Sequence, residues 1–358
     1  MSRFLQLDPA VPILHRDAGS VQVGLNARDP IVISGLTRAD YVLLRTLTSG
    51  LFTDQLTSGA AALGISASRA RELLRHLRSR GALVDAEAAR QRRRRRESAR
   101  VIIEGGSRTG LAIALALRDA GVDDIHVHDP SPVRSADLSA AGYRADQLGN
   151  PREQAAAALL RAHPLRREHP VSTVPRRRRT RPSPMDTRTP KPPPSRYDPR
   201  RDIVVVVRSL VLDPNLLKPL VFGGITHLSV VIGEGVVGLG PFVLPGGTCC
   251  ANCIGLHRTE LDSAWPSFVA QLARDLVLPE EPEHACSASA HAVCAVLAYI
   301  DGAQPLLVDA TLDVRFPDGQ MELRQWQPHP GCDCQRMDIR LPATAHQDDP
   351  GDRGPQPR

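Results

Sequence analysis

Two short stretches near the start of the chain alternate apolar and polar residues. Val21, Val23 and Leu25 lie two residues apart, and Ile31 and Ile33 repeat this spacing after a turn-forming Asn-Ala-Arg-Asp-Pro segment. Alternation at period two places the apolar side chains on one face of a strand. The pattern therefore predicts two short paired strands.

Helical spacing follows these strands. Thr37 can cap a helix together with Asp40, and Ser66 can cap another helix further along the chain. The apolar face of that later helix, and the short strand expected after it, consist of Ala70, Leu73, Leu74 and Leu77, then Leu83 and Val84. We interpret residues 1–87 as a winged-helix (α+β) module.

A winged-helix module can serve two purposes. Its arginines are compatible with DNA binding, and they lie on or near the later helix at Arg69, Arg71, Arg75 and Arg78. Winged helices also bind peptides by adding a strand to the edge of their own sheet. Because the chain continues into a large α/β unit, we favour peptide binding, with a DNA-binding regulator as an alternative.

A β-α-β pattern opens this larger part. The apolar run 101–103 predicts a buried strand, and Gly105, Gly106 and Gly110 follow it at the start of an apolar helix. A second strand then ends at Asp129, about 20 residues after the loop, where dinucleotide-binding folds hold a ribose hydroxyl. The pattern predicts a Rossmann-type α/β fold, and these three glycines with Asp129 form a candidate nucleotide site.

The glycine loop departs from the nucleotide-binding pattern. Ser107 stands where a glycine lets the backbone approach a phosphate, and Arg108 follows it. A side chain at that position crowds the phosphate path. We therefore favour a β-α-β unit that holds no ligand over one that binds ATP and Mg²⁺.

Composition divides the rest of the chain. Arginine-rich residues 88–100 are expected to form a linker, and an α/β domain is expected over 101–340, with further strands within 202–207, 227–232 and 240–246. Segments rich in proline and arginine, or in polar residues, cannot bury enough apolar surface to order themselves. They predict a disordered insertion over 164–201 and a disordered tail over 341–358.

Charge and composition exclude several classes of protein. The formal net charge is +6, but nine arginines fall in the runs Arg92–Arg96 and Arg176–Arg179, and the rest of the chain carries about −3. With only 3% aromatic residues, a role in binding nucleic acid is not favoured. No apolar run is long enough to span a membrane, and the first residues lack the pattern of a secretory signal. We expect a cytoplasmic protein.

Four cysteines form two closely spaced pairs, Cys250-x-x-Cys253 and Cys332-x-Cys334. Two such pairs can close a tetrahedron of thiolates around a structural zinc ion. Cys249 competes with Cys250 as the first ligand, although Cys250 has the better spacing. In a cytoplasmic chain a set of disulfides is not expected.

Other residues offer weaker alternatives at this site. Cys286 and Cys294 lie in an alanine-rich helical pattern, where a thiol usually acts as a small apolar group. His284 and His291 flank Cys286 and are less favoured zinc ligands than the four paired cysteines.

The larger part of the chain resembles the ThiF and ubiquitin-activating superfamily. The residues that carry this resemblance are the first strand, the glycine loop and Asp129, then Leu138 and Gly149-Asn150-Pro151-Arg152, then residues 240–246 leading into Cys250-x-x-Cys253. A closer resemblance is to the ThiF-like partner protein of thiazole/oxazole-modified microcin systems, in which an azoline-forming cyclodehydratase acts. The residues that carry it are Cys253-Ile-Gly-Leu-His-Arg258, Asp262-Ser-Ala-Trp265-Pro266 and His329-Pro-Gly-Cys332-Asp-Cys334.

The resemblance implies a division of labour. The ThiF-like protein would bind the leader of a ribosomal precursor peptide, and a separate YcaO-type subunit would use ATP to cyclise Cys, Ser or Thr residues. This chain would then be a non-catalytic scaffold stapled by zinc, and ThiF-like folds commonly form homodimers.

The departures from adenylating family members support that interpretation. Arg152 stands where those members have a lysine, and Asp213 matches their metal-binding aspartate only loosely. An ATP-dependent adenylyltransferase that activates a carboxyl terminus remains the catalytic alternative. It would use the Gly105–Gly110 loop, Asp129 and Asp213.

Overall fold

The computed structural model describes residues 4–8, 11–25, 31–79, 82–163, 197–273 and 279–335. The chain divides into two compact units, Met1–Arg94 and Arg95–Arg358. No helix among the described residues combines the length and apolar character that crossing a membrane requires.

The first unit contains two small antiparallel sheets and several helices. The strand orders are β5-β1-β6 and β2-β3-β4. In chain order the elements are β1 Phe4–Leu7, β2 Ile13–Asp17, β3 Ser20–Val23, β4 Ile31–Ile33, α1 Arg38–Ser49, β5 Leu51–Phe52, α2 Thr53–Ala62, α3 Ala67–Ser79, β6 Leu83–Asp85 and α4 Ala86–Ser98.

The strands and caps predicted in this unit are confirmed. β3 pairs with β4, with Val21 opposite Ile33 and Val23 opposite Ile31. The Thr37 hydroxyl accepts the Asp40 N–H, and the Asp40 carboxylate accepts the Thr37 N–H, which completes a capping box at α1. The turn predicted at 26–30 lies outside the described residues. The winged-helix assignment itself stays a prediction.

The arginine-rich segment is helical. Residues 88–98 belong to helix α4, and the assignment of residues 88–100 as a linker stays a prediction. Arg95 donates to the backbone carbonyl of Asp301, and Arg96 pairs with the Asp301 carboxylate and donates to the carbonyl of Ala120. Because arginine has a high intrinsic helix propensity and these two side chains have acceptors, the run of like charges is accommodated in a helix.

The second unit is a mixed α/β domain around one seven-stranded sheet. Its strand order is β13-β12-β11-β10-β9-β7-β8. The elements are β7 Arg100–Glu104, α5 Arg108–Asp119, β8 Asp124–His128, α6 Arg152–Ala162, β9 Asp202–Ser209, α7 Pro214–Phe222, β10 Thr226–Ile232, β11 Val236–Val243, α8 Ala251–Leu261, α9 Trp265–Leu272, α10 Pro282–Asp301, β12 Ala310–Arg315 and β13 Met321–Gln325.

The predicted β-α-β unit is confirmed. β7 lies parallel to both β8 and β9, and β9 lies parallel to β10, whereas β11, β12 and β13 extend the sheet in antiparallel fashion. The chain leaves β7 toward β8 on one side and returns at β9 on the other. This reversal creates a crevice at the carboxyl ends of β7 and β9, where open α/β sheets bind ligands.

Helices cover both faces of the central strands. Ile203, Val205 and Val207 of β9 face a core that includes residues of α5, α6 and α10. Val204 and Val206 face the opposite core with residues of α7. Strands that are buried on both faces have continuous apolar sequences. For this reason β9 could be predicted from the sequence.

Most residues of the predicted insertion and of the predicted tail are not among the described residues. Residues 164–196 and 336–358 lie outside the described residues. The end of the predicted insertion does not follow the expectation of disorder, because Arg201 and Asp202 donate their N–H groups to the Asp198 carbonyl in a turn that leads directly into β9. The α/β domain therefore resumes a few residues earlier than predicted.

Candidate functional site

The four paired cysteines converge on one buried point. Their Sγ atoms all lie within 4.8 Å of one another. The separations are 3.8 Å for Cys250 and Cys253, 3.7 Å for Cys250 and Cys332, and 3.4 Å for Cys253 and Cys334. Sulfurs bound at 2.3 Å to a central zinc ion lie about 3.8 Å apart in a regular tetrahedron. The cluster can therefore hold a metal ion, and its donor set fits zinc.

Two separate segments supply these sulfurs. Cys250 is the N-cap residue of α8, and Cys253 lies in the first turn of that helix. Cys332 and Cys334 follow β13, at a short 3-10 turn of residues Asp333–Gln335. A small apolar core surrounds the sulfurs and includes Val221, Val243, Ile254 and Trp326.

Hydrogen bonds hold the two segments in register. His257 on α8 donates from Nε2 to the carbonyl of Gln327 at 2.9 Å, and His329 pairs with Glu260 on α8 at 2.8 Å. Asn252 donates to the Cys332 sulfur at 3.1 Å. The Asn252 contact orients Cys332, as the outer partners of metal ligands usually do, and the histidine contacts join α8 to the segment after β13.

The electrostatics of the cluster favour a bound cation. Hydrogen bonds from Cys249 and Cys250 hold the pKa of the Cys253 thiol well below its ordinary value. Burial, followed by the hydrogen bond with Cys253, raises the pKa of the Cys334 thiol to about 12. One thiolate thus makes ionisation of the remaining thiols in the cluster unfavourable. A bound divalent ion would stabilise all four cysteines as thiolates.

The other cysteines lie outside this cluster of four. Cys249 is buried, but its Sγ lies 3.6 Å from the Cys250 carbonyl oxygen. Cys286 and Cys294 are exposed on α10, and this differs from the expectation that they act as buried apolar groups. Neither His284 nor His291 belongs to a metal-capable group among the described residues.

The glycines of the predicted nucleotide loop are explained by close backbone packing. A Cβ on Gly110 would lie 1.9 Å from the carbonyl oxygen of Gly105. Gly105 has a φ of +112°, and a Cβ there would lie 2.5 Å from the carbonyl oxygen of Val207. Only glycine permits both contacts. These residues therefore serve the packing of β7, α5 and β9.

Asp129 lies at the predicted position, but its oxygens are used within the chain. Oδ2 accepts the Gly106 N–H at 2.9 Å and Nη1 of Arg152 at 3.0 Å, and Oδ1 accepts the Ser131 N–H at 2.9 Å. Arg152 is buried and also contacts both oxygens of Asp137. Burial opposes ionisation of Asp129, but these hydrogen bonds and the Arg152 charge outweigh it, and its pKa lies below the ordinary value.

The start of α5 is occupied as well. The backbone N–H of Thr109 donates to Oε2 of Glu280 at 2.7 Å. Glu280 is buried, and it directly precedes α10. Asp213, the loose match to a metal-binding aspartate, caps α7 through the Asn215 N–H. Asp129, the Thr109 N–H and one oxygen of Asp213 therefore all have partners within the chain, and nucleotide binding at this loop stays a prediction.

The sequence did not identify Glu280, and it identified Arg152 only as a replaced lysine. Glu280 is separated from Thr109 by 171 positions, and no motif marks it. A buried hydrogen bond between segments far apart in the sequence leaves no periodic signal in one sequence.

A groove in the first unit lies beside an edge strand. β4 pairs with β3 on one side and is the last strand of its sheet. The groove has a volume of about 410 Å³ and is lined by residues of β4 and α3, together with Ser34: Val32, Ile33, Ser34, Arg69, Glu72, Leu73, Arg75 and His76. Its wall is mainly polar and carries more positive than negative side chains.

The arginines of α3 are not equivalent. Arg69 pairs with Glu72 at 3.1 Å and donates to the carbonyl of Gly35 at 3.0 Å. Arg71 donates to the carbonyl of Ala67 within its own helix. Arg75 lines the groove and forms no ion pair with another described residue. DNA binding by these arginines was the alternative prediction, and two of them are engaged within the protein.

No model of a protein family matches the chain, and no curated protein matches it. Solved structures are similar in fold. MccB of E. coli with ATP has a TM-score of 0.65 at 15% identity over 92% of this chain and 99% of that one. The microcin C7 biosynthetic enzyme MccB with N-formylated MccA has a TM-score of 0.64 at 14% identity over 93% and 99%.

A heterocyclase in complex with substrate and cofactor is also similar. Its TM-score is 0.53 at 15% identity, over 90% of this chain but only 38% of that protein. Identities this low establish the fold alone. Across most of its length, the chain shares the mixed α/β fold of MccB.

Proposed function

We propose that this chain binds the leader segment of a ribosomal precursor peptide and presents the peptide to a YcaO-type cyclodehydratase that forms azolines. The observation that carries this proposal is the groove beside the edge strand β4. The chain itself would act as a non-catalytic, ThiF-like scaffold.

The edge of β4 suits an extended peptide. An edge strand offers backbone donors and acceptors that have no partner within the sheet, and a peptide can add to it as a further strand. α3 lies along the same groove, so the side chains on one face of the peptide would contact Leu73, Arg75 and His76. This is how a small α+β module can bind a peptide without a deep pocket.

The second unit supports a scaffold more than an adenylating enzyme. Phosphoryl and adenylyl transfer need converging cations and a metal-binding carboxylate around the phosphates. Here Arg152 is bound between two carboxylates, and a carboxylate lies at the start of α5. The four cysteines, in this proposal, hold a structural zinc ion that joins α8 to the segment after β13.

One of the similar structures is a complex of MccB with N-formylated MccA. MccB is a microcin C7 biosynthetic enzyme, and another similar structure is that of a heterocyclase. A surface of the second unit would contact the YcaO-type subunit, and pairing of two chains remains a separate prediction from the family resemblance.

The test compares two arginines of α3. The affinity of the full chain for the fluorescently labelled leader segment of a candidate precursor peptide is measured by anisotropy. We expect Arg75→Ala to weaken binding about threefold to tenfold, which is about 0.7–1.4 kcal/mol. Arg71→Ala, an exposed change on the same helix but outside the groove, should leave the affinity unchanged.

Two outcomes would reject the proposal. If both substitutions change the affinity for the leader peptide equally, the peptide does not bind in the groove. If the chain does not bind the leader at all, the proposed function is wrong. Pyrophosphate exchange separates the catalytic alternative, because a signal that requires Asp129 would show adenylation by this chain.

A further inference from the structure

A second group of metal-binding side chains lies next to the four cysteines. It consists of His257, Glu260 and His329, and one ligand atom from each lies within 4.8 Å of the others. The group adjoins the cysteine cluster because the N–H of Cys332 donates to the carbonyl of His329 at 2.9 Å. None of its three side chains belongs to the set of four sulfurs, so it is a candidate for a separate site.

Helix α8 places two of these side chains on one face. His257 and Glu260 are three positions apart, and residues at that spacing are neighbours on a helix surface. Nδ1 of His257 lies 3.4 Å from Oε2 of Glu260. Nitrogen and oxygen ligands bound at 2.0–2.2 Å to a tetrahedral zinc ion lie about 3.3–3.6 Å apart. These two atoms therefore already have the spacing of two ligands of one ion.

The segment after β13 supplies the third side chain. Nε2 of His329 lies 2.8 Å from Oε1 of Glu260. The segment is held by Trp326, which is buried and donates its indole N–H to the hydroxyl of Thr311 at 2.9 Å. The ring of His257 stacks on Trp326, with 6.0 Å between the ring centroids. These contacts bring the two histidines together without the help of an ion.

The hydrogen bond of His257 leaves its other nitrogen suited to a cation. A backbone carbonyl can only accept, so Nε2 of a neutral His257 carries the proton and donates it to the carbonyl of Gln327 at 2.9 Å. Nδ1 then presents a lone pair to a carboxylate oxygen of Glu260, and the two repel each other. Metal-binding histidines commonly donate their second ring N–H to a carbonyl in this way. A divalent ion between the two atoms would replace the repulsion with two bonds.

His329 has to change its tautomer to bind an ion. Its Nδ1 accepts the N–H of Gly331 at 3.0 Å, so Nε2 carries the proton when the ring is neutral. Coordination through Nε2 moves the proton to Nδ1, and the hydrogen bond from Gly331 is given up. The side chain of Glu260 is also 64% exposed. Both features make this site weaker than the buried cluster of four cysteines, and its ion should exchange with solution.

We propose that His257, Glu260 and His329 form a second metal site, which binds a divalent transition-metal ion independently of the cysteines. Two imidazoles and one carboxylate suit Zn²⁺, Co²⁺ or Ni²⁺, whereas Mg²⁺ prefers oxygen ligands alone. Three protein ligands leave a coordination position for water, as in open zinc sites. The ion would join α8 to the segment after β13 a second time.

This inference does not depend on the proposed function. Leader binding concerns β4 and α3 of the first unit, whereas the three metal-binding side chains belong to the second. Loss of the second ion with unchanged leader affinity would separate the two.

The experiment titrates Zn²⁺ into the full chain, whose tightly bound zinc has first been measured, and follows binding by isothermal titration calorimetry. We expect wild type to bind one further ion per chain. Glu260→Gln and His329→Ala should each weaken this binding, because loss of even an outer partner of a metal ligand costs about tenfold or more in affinity.

His126→Ala is the matched control. His126 pairs with the Asp124 carboxylate at 2.8 Å, and both side chains are partly exposed. This pair belongs to no metal-capable group among the described residues. His126→Ala should therefore bind the further ion as wild type does.

Co²⁺ distinguishes the second site from the cysteines. Thiolate-bound Co²⁺ has strong sulfur-to-metal charge-transfer absorption, whereas Co²⁺ bound by two histidines and a carboxylate has only weaker d–d bands. The further ion should give the weaker bands alone, and Mg²⁺ should not displace it. Charge-transfer absorption from the further ion, or its displacement by equimolar Mg²⁺, would overturn the proposal.

The variants decide the remaining outcomes. A wild-type chain that binds no further ion would overturn the proposal, and so would equal binding by wild type and Glu260→Gln. Glu260→Gln is the deciding variant if His329→Ala does not fold, because the exposed Glu260 side chain can be replaced by a near-isosteric amide. It should retain the wild-type content of tightly bound zinc, which shows that the cysteine cluster is intact.

Discussion

Arg152 joins Asp129, the candidate nucleotide-binding carboxylate, to the internal structure of the second unit. Its guanidinium bridges Asp129 and Asp137, and all three side chains are buried. Taking such charges out of water is costly, and the cost is offset only while each charge keeps its partners. Removal of Arg152 would leave two buried carboxylates, so this position is expected to tolerate little change.

The charge of Asp129 makes stability depend on pH. Its pKa is lower in the folded chain than in the unfolded one, so it adds stability that is present above about pH 4 and is lost as pH falls through the folded value. At neutral pH, Asp129→Asn should lower the free energy of unfolding by about 1.5–3 kcal/mol, because hydrogen bonds to a charged group are lost. That difference from wild type should shrink toward pH 2.

Urea denaturation at a series of pH values measures this difference. Asp146→Asn is the matched control, because Asp146 is exposed in the same region of the chain. It should follow the wild-type pH dependence. A constant difference between Asp129→Asn and wild type over the whole pH range would contradict the assignment of the ion pair.

The functional residues that can be identified from the sequence are those with a recognisable spacing to nearby residues. The cysteine pairs and Asp129 stand at informative spacings, and the structure places them where expected. Glu280 has no such spacing, and Arg152 was recognised without its two carboxylate partners. Their roles arise from contacts between segments that only the folded chain brings together.

Among the elements, α8 and the segment after β13 depend most on the cysteines. The short 3-10 turn that carries Cys334 has little regular structure of its own. Its position relative to α8 rests on the four sulfurs and on the contacts of His257 and His329. A metal that joins distant segments contributes directly to folding free energy.

Metal analysis of the purified chain should find about one zinc ion per chain, as expected for a single tetracysteine site. Cys253→Ser and Cys332→Ser should each lose most of it and lower the melting temperature. Cys286→Ser and Cys294→Ser, at exposed thiols of α10, should retain the metal and the wild-type melting temperature. A zinc content that is equal in all four variants would exclude the cluster as the site.

The elements also show where a local pattern misleads. Alternating and helical spacings correctly predicted β3, β4, α1 and α3. The arginine run, whose composition predicts a linker, lies in helix α4, and there Arg96 pairs with the Asp301 carboxylate. This partner is 205 positions away, so no local pattern indicates it.

At the scale of the molecule, each of the two units has its own apolar core, and this explains why the sequence could be divided into two folded parts. The core of the first unit is built from Leu43, Leu44, Leu47 and their neighbours, and the core of the second unit centres on β7, β9 and α5. Continuous valine and isoleucine runs identified the central strands of the larger sheet. The antiparallel strand β13 gave no comparable signal, because it is exposed along its whole length.

Separate cores predict separate unfolding. Differential scanning calorimetry of the full chain should resolve two transitions, since each unit buries its own apolar side chains. Leu44→Ala removes a fully buried side chain of the first unit. It should lower the free energy of unfolding of that unit by about 2–5 kcal/mol and should lower the temperature of one transition. A zinc chelator, or Cys332→Ser, should lower only the transition temperature of the second unit, because the cysteines lie in that unit. If both treatments shifted a single shared transition, the two units would be folding as one, and the groove beside β4 could no longer be treated apart from the cysteine cluster.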